Sequence, residues 1–133
     1  MENLVIISNQ RVLSDITPSV NFNADSGTCW LEGESFMENS FEFYSKLTDW
    51  LVEFLTYNES IEFNIKLSYF NTTSARALTD MIAGLKIFSQ QGKNVKINWY
   101  YPDPDEDDFL LDGEDIEAAT GMKFNFIPYV SIQ

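Results

Sequence analysis

Residues 61–88 read Ile61-Glu62-Phe63-Asn64-Ile65-Lys66-Leu67-Ser68-Tyr69-Phe70-Asn71-Thr72-Thr73-Ser74-Ala75-Arg76-Ala77-Leu78, then Thr79-Asp80-Met81-Ile82-Ala83-Gly84-Leu85-Lys86-Ile87-Phe88. Up to Tyr69, apolar residues alternate with Glu62, Asn64, Lys66 and Ser68, the two-residue period of a strand. From Leu78 onward, Met81, Ile82, Leu85 and Phe88 recur at helical spacing. Asn71-Thr72-Thr73-Ser74 therefore lies where a strand passes into a helix. Free backbone N–H groups and the helix dipole favour negative charge there. The ordinary role for such hydroxyls is an N-cap, in which one side chain accepts a bond from an N–H two or three residues on. A phosphate attached to one of them would also be electrostatically favoured.

Similar patterns extend outward from this junction. Leu4 to Leu13 reads as a short strand or arm within residues 1–16. Val20, Phe22 and Ala24 alternate with asparagines, Asp25-Ser26-Gly27 reads as a turn, and Thr28 to Gly33 as the returning strand of a hairpin. Asn39 and Glu42 have the spacing of a capping box before a helix that ends near Tyr57-Asn58. The helix after the junction is expected from about Ser74 to Gln91, with Gly92 closing it. Val95, Ile97 and Trp99 mark another strand, residues 112–119 a short helix, and Phe124, Phe126 and Pro128 a last strand at a sheet edge. The pattern predicts one α/β (α+β) domain over residues 1–133. Its sheet is mixed, with about five strands, and strands alternating with helices call for crossover connections. The strands alternate apolar and polar residues instead of running apolar throughout, so the helices are expected mainly on one face.

Composition narrows the chemistry. There is no histidine among 133 residues, which removes the commonest general base and metal ligand. Cys29 is the only cysteine, so an internal disulfide is impossible and a zinc or iron–sulfur centre is not expected. A nucleophilic threonine would lack an adjacent histidine base. The residues call for no cofactor and no metal, and a non-enzymatic protein is expected. Net charge is −13, which opposes binding to nucleic acid and to anionic membranes. No run approaches the roughly 20 apolar residues of a membrane span, and no secretory leader pattern opens the chain; with Cys29 the only cysteine, a cytoplasmic location is expected.

Acid is concentrated in Asp103, Asp105, Glu106, Asp107, Asp108, Asp112, Glu114, Asp115 and Glu117, with no base between them. Asp103, Asp105, Asp107 and Glu114 match four EF-hand ligand positions, but Asp108 stands where the loop's sharp turn wants glycine. A solvated loop or helix start is the ordinary meaning of such a run; a calcium site and a steering surface for a basic partner are the alternatives. Tyr100, on the strand face opposite Trp99, and Tyr101 are candidates for a partner surface, with packing as their plainer role.

Several stretches together resemble the SiaC family of bacterial regulatory phosphoproteins. They are Thr17-Pro18; Gly33 with Glu38-Asn39; Phe43-Tyr44 and Trp50; Leu67 to Ser74; Gly92-Lys93-Asn94-Val95; Asn98-Trp99-Tyr100-Tyr101; and the acidic run ending Asp112-Gly113-Glu114-Asp115. The resemblance spans roughly Thr17 to Phe126 and implies a STAS-like fold, that of anti-sigma factor antagonists. It implies phosphorylation of the threonine directly after asparagine, here Thr72, flanked by Tyr69, Asn71, Thr73, Ser74 and Arg76. It further implies a Ser/Thr kinase of histidine-kinase-like ATPase fold and an opposing metal-dependent phosphatase. In the unphosphorylated state it implies binding to a diguanylate cyclase, and so a place in cyclic-di-GMP and biofilm control. Met37 departs from the family's usual proline, Thr73 from serine and Arg76 from lysine, and Thr73 offers a second phosphate acceptor. The competing reading is a constitutive adaptor in which Thr72 to Ser74 only cap the helix.

Overall fold

The computed structural model describes residues 1–9 and 15–130. The strands are β1 (Leu4–Ile6), β2 (Ser19–Phe22), β3 (Thr28–Ser35), β4 (Ser60–Phe70), β5 (Asn94–Asp103) and β6 (Phe124–Val130). Between them lie α1 (Ser40–Tyr57), α2 (Thr72–Gly84), α3 (Lys86–Gln90) and α4 (Phe109–Thr120). Six strands form one mixed sheet in the order β1-β2-β3-β4-β5-β6. The sequence pattern predicts about five; the extra one is β1, whose three residues realise part of the expected arm. Residues 10–14, the rest of that arm, fall outside the described residues.

Pairing is antiparallel from β1 to β3 and parallel from β3 to β6. Each parallel step moves one place along the sheet through a helix. Right-handed crossovers that all advance in one direction put every helix on the same face, as the alternation predicts. The core fills the space between that face and the helices. Phe22, Leu31, Phe63, Ile65, Leu67, Ile97 and Trp99 meet Tyr44, Leu47, Leu51, Leu78 and Ile82, all at most 2% exposed. Burying each of these side chains contributes roughly 1.5–3 kcal/mol. The opposite face is polar but not bare. Asn64 and Asn98 are buried there, and Asn98 donates to Asn64 Oδ1 at 2.9 Å and to Glu62 Oε1 at 3.0 Å. Asn125 donates to Asn98 Oδ1 at 3.2 Å, so an amide ladder crosses three strands.

Local signals are realised unevenly. Asn23 Oδ1 accepts from the N–H groups of Asp25 and Ser26, and Gly27, at φ 73°, completes the expected hairpin turn. Asn39 precedes α1, but its side chain makes no capping bond, so the predicted capping box is not formed. The first residue of the helix, Ser40, is instead drawn toward the start of α2. At the other end, Lys93 Nζ donates to the carbonyls of Leu55, Thr56 and Asn58, placing a cation against the negative end of the helix dipole. The helix predicted over 74–91 starts at Thr72 and breaks at Leu85. Gly84 weakens the helix there, while Leu85, fully buried, bonds back to Ile82 O in a tighter turn.

Candidate functional site

The C-terminal ends of β3 and β4 lie side by side, with Ser35 paired to Phe70. Asn71 N–H donates to Ser35 O at 3.0 Å as the chain leaves the sheet. Asn71 then takes an extended conformation and its Oδ1 accepts from Ser74 N–H at 3.0 Å. Its Nδ2 donates to Met37 O at 2.9 Å. The cap of α2 is therefore Asn71, and none of the three hydroxyls after it serves as a cap.

Those hydroxyls have separate fates. Ser74 is completely buried, and Ser35 Oγ donates to its Oγ at 2.7 Å. Ser40 Oγ lies 3.1 Å from Ser74 Oγ, and Ser35 Oγ lies 2.9 Å from the Tyr44 hydroxyl. Burial pushes the Tyr44 phenol up to about 12, with the Ser35 bond opposing, so it is neutral at physiological pH. Thr73 Oγ1 donates to Met37 O at 2.8 Å and shares a bond with Ser40 Oγ at 3.0 Å. Thr72 is exposed, and its hydroxyl makes no hydrogen bond among the described residues. The N–H groups of Ser74 and Ala75 are taken by Asn71. Among the described residues the Thr72 and Thr73 N–H groups make no hydrogen bond, so they are the remaining donors of the first turn, beside the Thr72 side chain. Ser35, Ser40 and Tyr44 are the residues that sequence reasoning missed. Nothing in their local spacing signals a network that closes across 39 residues of chain.

The flanking residues sort in the same way. Tyr69 is 46% exposed, its ring 6.1 Å from that of Phe36, while Phe70 packs edge-on to Trp99 and Phe109. Arg76 is exposed and lines a trough between α1 and α2 with Glu38, Phe41, Thr73 and Asp80. The trough continues past Tyr44, Thr48, Asp49, Ala77 and Met81. Tyr100 and Tyr101 point to opposite faces of β5, so they do not form one surface. Tyr100 stacks 5.4 Å from Trp30 on the polar face; partial burial raises its phenol pKa, helped by Glu62 and Glu32. Tyr101 is half-buried against the core on the helix side.

The acidic run is resolved as a helix start. Asp105 accepts from Phe109 N–H at 2.8 Å and Leu110 N–H at 3.0 Å, one bond on each carboxylate oxygen. The EF-hand-like spacing thus supplies a cap to α4, and among the described residues no group of three or more Asp, Glu or Cys side chains is arranged to hold a metal ion. Asp107 and Asp112 share a shallow depression with Ser68, Tyr69 and Phe70, so the fold carries part of this charge to the end of β4. The Asp112 carboxyl is raised by partial burial, then by Asp115, Asp108 and Asp105. Among the described residues no helix is long and apolar enough to cross a membrane.

Comparison with known proteins places this geometry. Residues 13–129 match the family described as SiaC family regulatory phosphoprotein. An uncharacterized protein of Pseudomonas aeruginosa (strain UCBPP-PA14) is 31% identical over 86 residues, 64% of this chain and 68% of that protein. SiaC of Pseudomonas aeruginosa superposes with a TM-score of 0.80 at 25% identity, over 98% of this chain and 100% of that one. The activator SiaC in its crystal complex with the diguanylate cyclase SiaD, from the same organism, superposes with a TM-score of 0.78 at 25% identity, over 93% of this chain and 100% of that one. A family match over nearly the whole chain and the superposed fold agree: this chain belongs to the SiaC family of regulatory phosphoproteins.

Proposed function

We propose that this domain is a non-enzymatic switch, reversibly phosphorylated on Thr72, that binds a diguanylate cyclase when unphosphorylated. The observation that carries the assignment is the sorting of the three hydroxyls. Ser74 is buried; Thr72 and Thr73 are both exposed, but Thr73 Oγ1 is held by Met37 O, whereas the Thr72 hydroxyl makes no hydrogen bond among the described residues. A kinase needs that oxygen accessible and unengaged. Family membership and the likeness to an activator seen with its cyclase support the same reading. A Ser/Thr kinase of histidine-kinase-like ATPase fold would add the phosphate, and a metal-dependent phosphatase would remove it.

A phosphothreonine carries a charge of about −1.5 to −2. At the first helical residue it meets free N–H groups and the positive end of the dipole, an interaction worth about 0.3–1 kcal/mol. The fold therefore tolerates the phosphate, and its effect falls on whatever docks beside α2. Incubation with the kinase and ATP followed by mass spectrometry should place one phosphate on Thr72. Thr73→Ala should leave it and Thr72→Ala should abolish it. Undiminished phosphorylation of Thr72→Ala would remove the assignment, and equal cyclase affinity before and after phosphorylation would remove the switch.

A further inference from the structure

The face of the sheet that no helix covers carries a groove, away from the start of α2. Val5 is paired with Asn21 and Asn21 with Trp30, so the three side chains share that face. Ser19 and Glu32, paired two residues along, share it too. Neighbouring strands lie about 4.8 Å apart, which sets β1 and β3 about 9.6 Å from each other over the short side chains of β2. Val5 and Ile7, 62% and 86% exposed, form one wall, Trp30 and Glu32 the other, and Ser19 and Asn21 the floor; the groove holds about 300 Å³. Tyr100, on β5, stacks on Trp30 from the side away from β2, its ring 5.4 Å off, so the indole is backed there and turns its other side to the groove.

The polar groups of this groove lack partners within the chain. Trp50 and Trp99 each donate their Nε1–H at 2.9 Å, to Glu2 O and Phe109 O. The Nε1–H of Trp30 makes no hydrogen bond among the described residues, and neither does the side-chain amide of Asn21. Glu32 likewise forms no ion pair among them. Lys66, its neighbour in register on β4, holds its Nζ 4.6 Å over the Tyr129 ring instead. Among the described residues no base lines the groove.

We propose that this groove binds an extended, arginine-bearing segment of a partner protein, with the guanidinium laid against Trp30 and paired to Glu32. Charge selects a cation: one uncompensated carboxylate beside an indole face, on a chain of net charge −13. Geometry selects arginine over lysine. A planar guanidinium stacks on an indole while presenting two N–H groups to one carboxylate, which an ammonium cannot do. The aliphatic stem then covers Val5 and Ile7. The remaining groups select an extended backbone. Trp30 Nε1–H needs an acceptor, and the Asn21 amide needs both an acceptor and a donor. An extended segment offers free carbonyls and N–H groups, whereas a helix has already spent its own.

Titration of the peptide acetyl-Gly-Thr-Val-Arg-Val-Thr-Gly-amide into the nitrogen-15-labelled full chain tests this through the three indole N–H signals. The Trp30 signal should move saturably, and those of Trp50 and Trp99, bonded inside the fold, should stay. Replacing the arginine by citrulline keeps the shape and removes the charge, and should weaken binding about 5-fold or more. The lysine peptide should bind about 3-fold more weakly than the arginine peptide. Glu32→Gln should also cost about 3-fold or more. That side chain is exposed and only its backbone carbonyl is bonded, by Ser19 Oγ at 3.2 Å, so an unchanged Tm verifies the fold. A Trp30 signal that stays in place at millimolar peptide would overturn the proposal. So would equal binding of the citrulline or lysine peptide, or undiminished binding by Glu32→Gln. Shift changes centred on the acidic residues 103–117 would show general charge attraction and overturn it as well.

Discussion

Asn71→Ala set beside Thr72→Ala tests the structural reading of the junction most directly. Both residues stand at the start of α2, and an account based on hydroxyl capping makes the threonine matter. The structure assigns the work to Asn71. Its loss removes the bond from Ser74 N–H at 3.0 Å, an N-cap worth about 1 kcal/mol. It also removes the bond to Met37 O at 2.9 Å. That carbonyl keeps Thr73 Oγ1 at 2.8 Å, so it is not orphaned, and this second loss is about 0.5–1.5 kcal/mol. Together the cost is roughly 1.5–2.5 kcal/mol. For a chain of this size that lowers Tm by roughly 5–9 °C. Thr72→Ala removes no internal bond and should stay within about 0.5 kcal/mol of the parent. Urea denaturation followed by tryptophan fluorescence, with parallel thermal scans, measures both. Equal destabilisation by the two variants, or a larger effect from Thr72→Ala, would refute the assignment of the cap to Asn71 and of the free hydroxyl to Thr72.

Other outcomes follow from the packing. Gly113→Ala places a Cβ 2.5 Å from Trp99 Nε1, whose N–H donates to Phe109 O; overpacking of about 1–3 kcal/mol should outweigh the gain in helix propensity, and a raised Tm would contradict this. Cys29 is fully buried and its thiol is pushed up to about 12 by desolvation, so a disulfide reagent at pH 8 should modify it only in denaturant. Asp112 has a raised folded pKa, so its contribution to stability declines as pH rises from the unfolded carboxylate value through the folded one. Asp112→Asn should accordingly be more stable than the parent at pH 7 in low salt, by a margin that narrows in high salt and in acid; a chemical-denaturation series over salt and pH reads this, and an Asn variant less stable throughout would refute it.

Periodicity in this chain reports burial faithfully because the sheet is covered on one face only. Phe63, Ile65 and Leu67 are buried where alternation with Glu62, Asn64 and Lys66 puts them. The same rule placed Trp99 in the core and Tyr100 on the other face. Helix ends were less legible. The Asn39–Glu42 spacing has the form of a capping box, but Ser40 is drawn into a tertiary network and the box does not form. The acidic run has the spacing of calcium ligands, yet Asp105 spends both oxygens on the backbone of α4. A local motif states what a segment would do alone; a neighbour offering better hydrogen bonds changes the outcome.

The amino-acid sequence by itself determined the order of elements, the covered face of the sheet, the family and the position of Thr72 at a helix start, because each of these is written in residues close together in the chain. Only the tertiary structure decided among the hydroxyls. Ser35 and Ser40 approach Ser74 from distant parts of the chain, and Met37 O approaches Thr73 in the same way. Hydrogen bonds form between groups that are close in space, and that closeness exists only once β3 and β4 lie parallel and α1 lies against α2. Packing thereby buries one hydroxyl, engages the second and, among the described residues, leaves that of Thr72 without a partner.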